Sequence, residues 1–280
     1  MWLLTNWGSL KSPVKKILNY NGMKSQFEIH KERMEVLNEL LNEAADSPNI
    51  HKNSYVYPIL KEIAKDYDET FNLNVLSDLL AHKQAEFLRG SMLFGTYEEG
   101  VSDVDHLVVV DYTYHYMLNE HPRHIYELKF DNHDYQFICE DDFINMINDC
   151  NIEALECVFA YPNFKYNDLV NIDKWKLRQS VSGICSNSWV KAKKKLTVEK
   201  DYNLRIAQKS LWHSMRLYMF GIQIAKTGKI YDFQEANPLW EEIKNAENPT
   251  WDYYKEKYQP LFNSLRSELV KLCDRPKENN

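Results

Sequence analysis

The sequence has 280 residues, a length that allows one large domain or two modest ones. Hydrophobic residues make up 44% of it, and the formal net charge of -7 argues against bulk, non-specific binding of nucleic acid. No stretch approaches the roughly 20 apolar residues of a membrane span, and the apolar run at the N-terminus is too short for a signal peptide. We therefore expect a cytoplasmic protein with no membrane partner.

The region 1–85 is predicted to be a helical N-terminal extension without chemistry of its own. One helix is expected from Met23 to Ala45, because its apolar residues tend to one face. Two more helices are expected near 56–68 and 74–85.

The pattern changes at Phe87, where a short apolar stretch reaches Gly90 and Ser91. After a glycine-punctuated segment, the apolar run 107–110 predicts a buried strand. His124–Phe130 and Asp134–Cys139 predict two further strands joined as a hairpin through the turn residues 131–133.

The chain then becomes helical. Asp141 or Asp142 can cap one helix, and Asp173 can cap another. A longer helix is expected over about 202–227, ending at the C′ glycine Gly228.

A last helical stretch is expected over 251–273, broken or kinked at Pro260. The fold class that follows is α+β, with a small mixed sheet packed by helices in 86–160, a helical domain in 161–273 and a polar tail in 274–280. The five cysteines are widely spaced without a Cys-x-x-Cys pair, which predicts reduced core residues rather than a zinc site. They are Cys139, Cys150, Cys157, Cys185 and Cys273.

Asp103 and Asp105 stand two apart where a strand begins, so both carboxylates point to one face. Two like charges held this close repel unless a cation lies between them, and a hard dication such as Mg²⁺ suits oxygen ligands. Aspartates that cap and turn a loop end are the alternative. The upstream pair Gly90 and Ser91 favours the metal, because glycine admits a phosphate close to the backbone and the hydroxyl can donate to it.

Asp134 begins the next hairpin arm and can face the same cleft if the two strands are neighbours. Two ions roughly 3.5–4 Å apart would then share three carboxylates. Asp134 could also serve as the general base for an acceptor hydroxyl, and a simple turn residue is the alternative. Glu127, Asp131 and Asp111 are rivals for the third position.

The helix over 202–227 carries basic residues at i, i+4, i+8 and i+11, and no acidic residue lies between Asp201 and Asp232. An unpaired basic stripe favours an anion such as a triphosphate. A solvated surface face is the alternative, and the histidine could equally be a packing residue. The stripe consists of Arg205, Lys209, His213 and Arg216.

A second basic cluster, Lys191 to Lys195, admits two interpretations. It could guide the backbone of an RNA or DNA acceptor. A solvated helix end, with lysines near the C-terminus, explains the same pattern.

The segment RGSMLFGTYEEGVSDVDHLVVV resembles the signature of the polymerase-β-like nucleotidyltransferase superfamily. That signature is a Gly-Ser pair, a spacer and Asp-x-Asp. The form with Arg-Gly-Ser, Phe-Gly-Thr and Ser-Asp-x-Asp is closest to the predicted nucleotidyltransferases of bacteria and phages.

Later segments extend the resemblance over about residues 86–235. The spacing from Asp134 to Phe143 is similar to that between the family's third carboxylate and a helix phenylalanine. CNIEALECVF resembles its Asn-Pro-x-x-x-Glu segment, with Asn151 and Glu156 in register. KSLWHSMRLYMFGIQIAKTGKIY resembles its Lys-x-x-x-His-x-x-Arg helix and the Thr-Gly-Lys that follows.

Two positions depart from the family pattern, Ile152 for its proline and His106 for an apolar residue. The resemblance implies transfer of a nucleoside monophosphate from a nucleoside triphosphate to an acceptor hydroxyl, with two Mg²⁺ ions, or Mn²⁺ in their place. RNA, protein or a small molecule could be the acceptor. The alternatives are a catalytically silent module that binds a nucleotide or partner, and a toxin–antitoxin or phage-defence component that modifies RNA or protein. The residues implied are Asp103, Asp105 and Asp134 for catalysis and metal, and Gly90, Ser91, Lys209, His213 and Arg216 for the nucleotide.

Overall fold

The computed structural model describes residues 26–46, 50–111 and 125–274. They form two compact units that meet in sequence between Ala81 and His82. The interpretation of residues 1–25 and of the tail from 275 onward falls outside the described residues, as does His124 at the start of a predicted strand.

The first unit contains two helices, α1 (Gln26–Asp46) and α2 (Ile50–Ala81). Between them, the imidazole of His30 stacks on Phe71 with ring centroids 3.7 Å apart and contacts the Asp68 carboxylate at 3.0 Å. The prediction of two separate helices near 56–68 and 74–85 is wrong. One helix runs to Ala81, because residues 59–81 contain no glycine or proline that would end it.

The second unit begins with a four-stranded mixed sheet in the order β1-β2-β4-β3. β2 and β4 pair in parallel, and the other two pairs are antiparallel. A short helix, α3 (Gly90–Phe94), follows β1. The strands are β1 (Lys83–Leu88), β2 (Val104–Val110), β3 (Ile125–Phe130) and β4 (His133–Cys139).

One face of this sheet packs on two helices, α4 (Glu140–Asn148) and α5 (Ile152–Ala160). Leu107 and Val109 alternate onto that face and join one apolar cluster with residues of both helices. Asp105 precedes Leu107 by two residues. Its carboxylate therefore leaves the strand on the same face, at the edge of the packed layer.

The boundary of α4 differs from the prediction. The helix begins at Glu140 with Cys139 at the N-cap, so Asp141 and Asp142 lie in its first turn instead of capping it. Carboxylates there still favour the helix, because they face the positive end of its dipole.

Three long helices and one short one build the C-terminal region around a second apolar cluster, which confirms the α+β class with a helical C-terminal part. Asp173 caps α6 by accepting from two backbone N–H groups, and Gly228 ends α7 with a φ of 82°, both as predicted. Pro260 lies inside α9 without ending it, so of the two expectations, a break or a kink, the break is wrong. The helices are α6 (Lys174–Thr197), α7 (Leu204–Thr227), α8 (Asn237–Lys244) and α9 (Trp251–Leu272), with 3-10 turns at Lys165–Leu169 and Glu199–Asp201.

All five cysteines are buried and free, as their spacing predicts. Of the helices that the structure describes, none is long and apolar enough to cross a membrane.

Candidate active site

Two aspartates stand directly opposite each other on the parallel strands β2 and β4. Asp105 and Asp134 are register partners, so their side chains project on the same face of the sheet. Asp103 is exposed and lies just before β2, two residues upstream of Asp105. Three carboxylates from two neighbouring strands are thereby brought to one end of the sheet.

The rival acids lie elsewhere. Glu127 pairs with Gln136, two positions further along the hairpin than Asp134, and accepts a hydrogen bond from that glutamine at 3.2 Å. Asp131 occupies the hairpin turn with a φ of 52°. Asp111 follows the far end of β2, so Asp134 is the acid that faces Asp105.

The glycine of the Gly-Ser pair touches this site. Gly90 has a φ of 57°, and a Cβ built on it would lie 1.9 Å from Oδ2 of Asp105. The backbone N–H of Arg89 also donates to the Asp105 carbonyl at 2.8 Å. Glycine is required here for two reasons, the left-handed backbone and the carboxylate pressed against its Cα.

Asp105 carries the clearest electrostatic signature of the three acids. Burial raises the pKa of its carboxyl, and the negative charges of Asp134 and Asp103 raise it further. The cations of Arg89 and Lys209 act in the opposite direction. Burial and two neighbouring negative charges destabilise the ionised form of Asp105, and a bound dication would stabilise it.

Lys129 was not identified from the sequence, and its ammonium contacts one of the three carboxylates and is influenced by the other two. Its ammonium is 2.5 Å from Oδ2 of Asp134, its register partner on β3. The hydrogen bond to Asp134 raises the pKa of Lys129, with additional contributions from Asp103 and Asp105. The Lys129 ammonium therefore interacts electrostatically with all three carboxylates.

The donor set fits a hard dication, since it consists of carboxylate oxygens with mutual repulsion. No three His, Cys, Asp or Glu side chains in the described part of the chain already converge as ligands of one ion. The Lys129 ammonium supplies a positive charge at Asp134 instead. Binding of a dication by all three acids therefore requires Asp134 to exchange this partner.

Ser91 lies in α3, next to Gly90, and is half-buried. Arg89, on the other side of the glycine, donates to Oε1 of Gln136 at 3.0 Å and stands 4.0 Å from the Glu153 carboxylate. Because Gln136 follows Asp134 by two positions on β4, Arg89 spans the same face of the sheet as the acids.

The basic stripe on α7 divides into members with different surroundings. Lys209 is exposed and close enough to Asp105 to lower its pKa. Arg205 pairs with Glu98 at 3.3 Å, and Arg216 is buried with its guanidinium 3.7 Å from Glu156. The expectation of a stripe without acidic partners is therefore wrong for both arginines.

Desolvation is the main cause of the pKa shifts of the buried pair Arg216 and Glu156. Burial raises the pKa of Glu156 and lowers the pKa of Arg216 to about 10, although each partner's charge opposes the change. His213 is half-buried, and its Nδ1 is 2.9 Å from a guanidinium nitrogen of Arg216.

The lysine cluster at the end of α6 also divides. Lys194 contacts Asp201 at 3.3 Å, and Lys195 makes a closer contact with the same carboxylate. Lys191 is exposed and near enough to His213 to lower its pKa. Lys191 therefore differs from Lys194 and Lys195, which are paired with Asp201, and the sequence pattern alone did not reveal this difference.

Comparison of the sequence with models of known protein families and with characterised proteins finds no match.

Proposed function

We propose that the chain is a metal-dependent nucleotidyltransferase, which moves a nucleoside monophosphate from a nucleoside triphosphate to an acceptor hydroxyl. The observation that carries the proposal is the register of Asp105 with Asp134 on parallel strands, with Gly90 in contact with the Asp105 carboxylate. The resemblance of residues 86–235 to polymerase-β-like nucleotidyltransferases adds the reaction class.

Asp103, Asp105 and Asp134 would hold two Mg²⁺ ions. When bound, such ions neutralise charge on phosphate oxygens and lower the pKa of an attacking hydroxyl. The Ser91 hydroxyl and the exposed Lys209 ammonium would hold the triphosphate. Arg89 would add positive charge beside Asp105 without leaving Gln136.

The reaction forms a bond between the acceptor oxygen and the α-phosphorus and breaks the bond to the bridging oxygen, which releases pyrophosphate. The hydroxyl proton passes to a carboxylate, for which Asp134 is suited by its position at the start of β4. Negative charge grows on the departing pyrophosphate, so fixed cations such as Lys209 contribute most there.

A second candidate is a nucleotide-binding module without catalysis. The specific observation in its favour is the 2.5 Å contact of Lys129 with Asp134, which already pairs one carboxylate with a cation of the chain itself. A chain of this kind would bind a triphosphate without releasing pyrophosphate.

Incubation with each α-labelled triphosphate, Mg²⁺ and a cell extract tests the proposal and separates the two candidates. We expect pyrophosphate release and a labelled acceptor, lost in an Asp103→Asn/Asp105→Asn double variant that folds normally. Label on RNA or on protein would also identify the kind of acceptor that a toxin or phage-defence enzyme modifies. Tight binding of a triphosphate without release would establish the binding module, and equal activity in the double variant would refute the metal assignment.

A further inference from the structure

The contact between Arg216 and His213 determines which imidazole nitrogen carries the proton. A guanidinium has only donors, so the Arg216 nitrogen 2.9 Å from Nδ1 of His213 must donate to it. Nδ1 therefore has no proton, and a neutral ring carries its proton on Nε2. Unlike most histidine assignments, this one follows from the partner alone.

Arg216 is held so firmly that it cannot easily release the histidine. Its guanidinium carbon lies 3.5 Å from the ring centre of Phe94 and 4.6 Å from that of Trp212. The residue is 4% exposed, and its guanidinium is 3.7 Å from the Glu156 carboxylate. A guanidinium clamped by aromatic rings and a carboxylate offers a fixed direction of donation.

The surroundings of His213 also keep its ring uncharged. Burial lowers its pKa well below the ordinary value, and the cations of Arg216, Arg89 and Lys191 lower it further. Within the described ranges, the hydrogen bond found for this ring is the one at Nδ1 with Arg216, and the residue is only half-buried. Nε2–H is thus an unused donor that solvent or a ligand can reach.

The cations around His213 relate it to the acids. Lys209 precedes His213 by one helical turn on α7, so both lie on the same face. Lys209 also acts on the Asp105 carboxyl, and Lys191 and Arg89 act on His213. Together these three cations would draw an anion toward the face of α7 that carries Lys209 and His213.

We propose that Arg216 is a positioning residue that presents His213 as a neutral Nε2–H donor to a phosphate oxygen of the bound triphosphate. The inference rests on the proposed function, because it takes the anion to be the substrate's phosphate chain. The imidazole orients this chain without adding charge, and the surrounding cations supply the attraction. Arg216 itself contacts no substrate, which distinguishes it from Lys209.

Nitrogen-15 NMR of the histidine rings tests the first half of the proposal on the full chain. The resonances of His213 are assigned by their disappearance in His213→Gln. We expect the neutral Nε2–H tautomer at neutral pH in the wild-type protein, and a mixture of tautomers in Arg216→Met. An Arg216→Met/Glu156→Leu double variant leaves no buried charge unpaired and is the substitute if the single variant does not fold. A proton on Nδ1, or a charged ring at neutral pH, would overturn the proposal.

Titration with inorganic tripolyphosphate tests the second half without catalysis. We expect the Nε2 resonance of wild-type protein to shift on binding, and His213→Ala to weaken binding about tenfold. His213→Gln, whose amide N–H can replace Nε2–H, should stay within about threefold of wild type. Binding that leaves His213 unchanged overturns this inference but not the proposed function, whereas absence of any triphosphate binding overturns both.

Discussion

Substitution of Gly90 by alanine perturbs the site at one defined atom. The new Cβ would lie 1.9 Å from Oδ2 of Asp105, whereas ordinary contact begins at 3.4 Å, so the carboxylate must retreat by about 1.5 Å. A misplacement of about 1 Å in a catalytic group can cost about 10²-fold in rate. The left-handed backbone at this position adds about 1–2 kcal/mol of strain for any residue with a Cβ.

Gly100→Ala is the matched control for this experiment. Gly100 has a φ of 70°, similar to that of Gly90, but nothing lies within 4 Å of an added Cβ. Both variants should melt about 2–8 °C below wild type, from the same strain in a unit of this size. In a pyrophosphate-release assay, kcat/KM should fall about 10²-fold in Gly90→Ala and less than about threefold in Gly100→Ala. Equal losses in the two variants, or full activity in Gly90→Ala, would show that Gly90 does not position Asp105.

Three further substitutions separate the contributions of charge around the site. Asp105→Asn should abolish transfer, yet the variant should melt at a higher temperature than wild type in EDTA at neutral pH. The pKa of the Asp105 carboxyl is raised in the folded protein, so its ionisation lowers the free energy of unfolding as pH rises through that pKa, and asparagine avoids this loss. A lower melting temperature would contradict this sign. Lys129→Met should lower the Mg²⁺ concentration for half-maximal activity about two- to tenfold, since it removes the cation that competes at Asp134; an unchanged Mg²⁺ requirement would show that the ammonium is no competitor. Lys209→Ala should raise the KM for the triphosphate about tenfold. The control Lys194→Ala removes a lysine that is already paired with Asp201 and should leave this KM unchanged. Equal effects of the two substitutions would indicate only general charge attraction.

Local signals in the sequence were enough to predict the hairpin and its turn. Counted outward from the predicted turn 131–133, however, the register places Phe130 opposite Asp134. His133 belongs to β4 and pairs with Phe130, which brings Lys129 opposite Asp134. The parallel pairing of β2 with β4 could not be obtained in this way. It depends on which arm of the hairpin inserts beside β2, and the alternation of apolar residues within each strand does not determine that.

The basic stripe shows a different limit of local patterns. Its spacing correctly placed four residues on one helix, but their partners come from elements distant in sequence. Glu98 lies in the loop before β2, and Glu156 lies on α5. A search for acids along α7 alone therefore could not distinguish the buried Arg216 from the exposed Lys209.

Electron paramagnetic resonance of Mn²⁺ in the presence of a non-hydrolysable α,β-methylene triphosphate tests most directly whether the paired carboxylates hold divalent ions beside a polyphosphate. The wild-type chain should take up more Mn²⁺ than the analogue does alone, and the Asp103→Asn/Asp105→Asn variant should not. Identical Mn²⁺ uptake by the two proteins would contradict the account, because the acids that face each other across β2 and β4 would then have no metal to share.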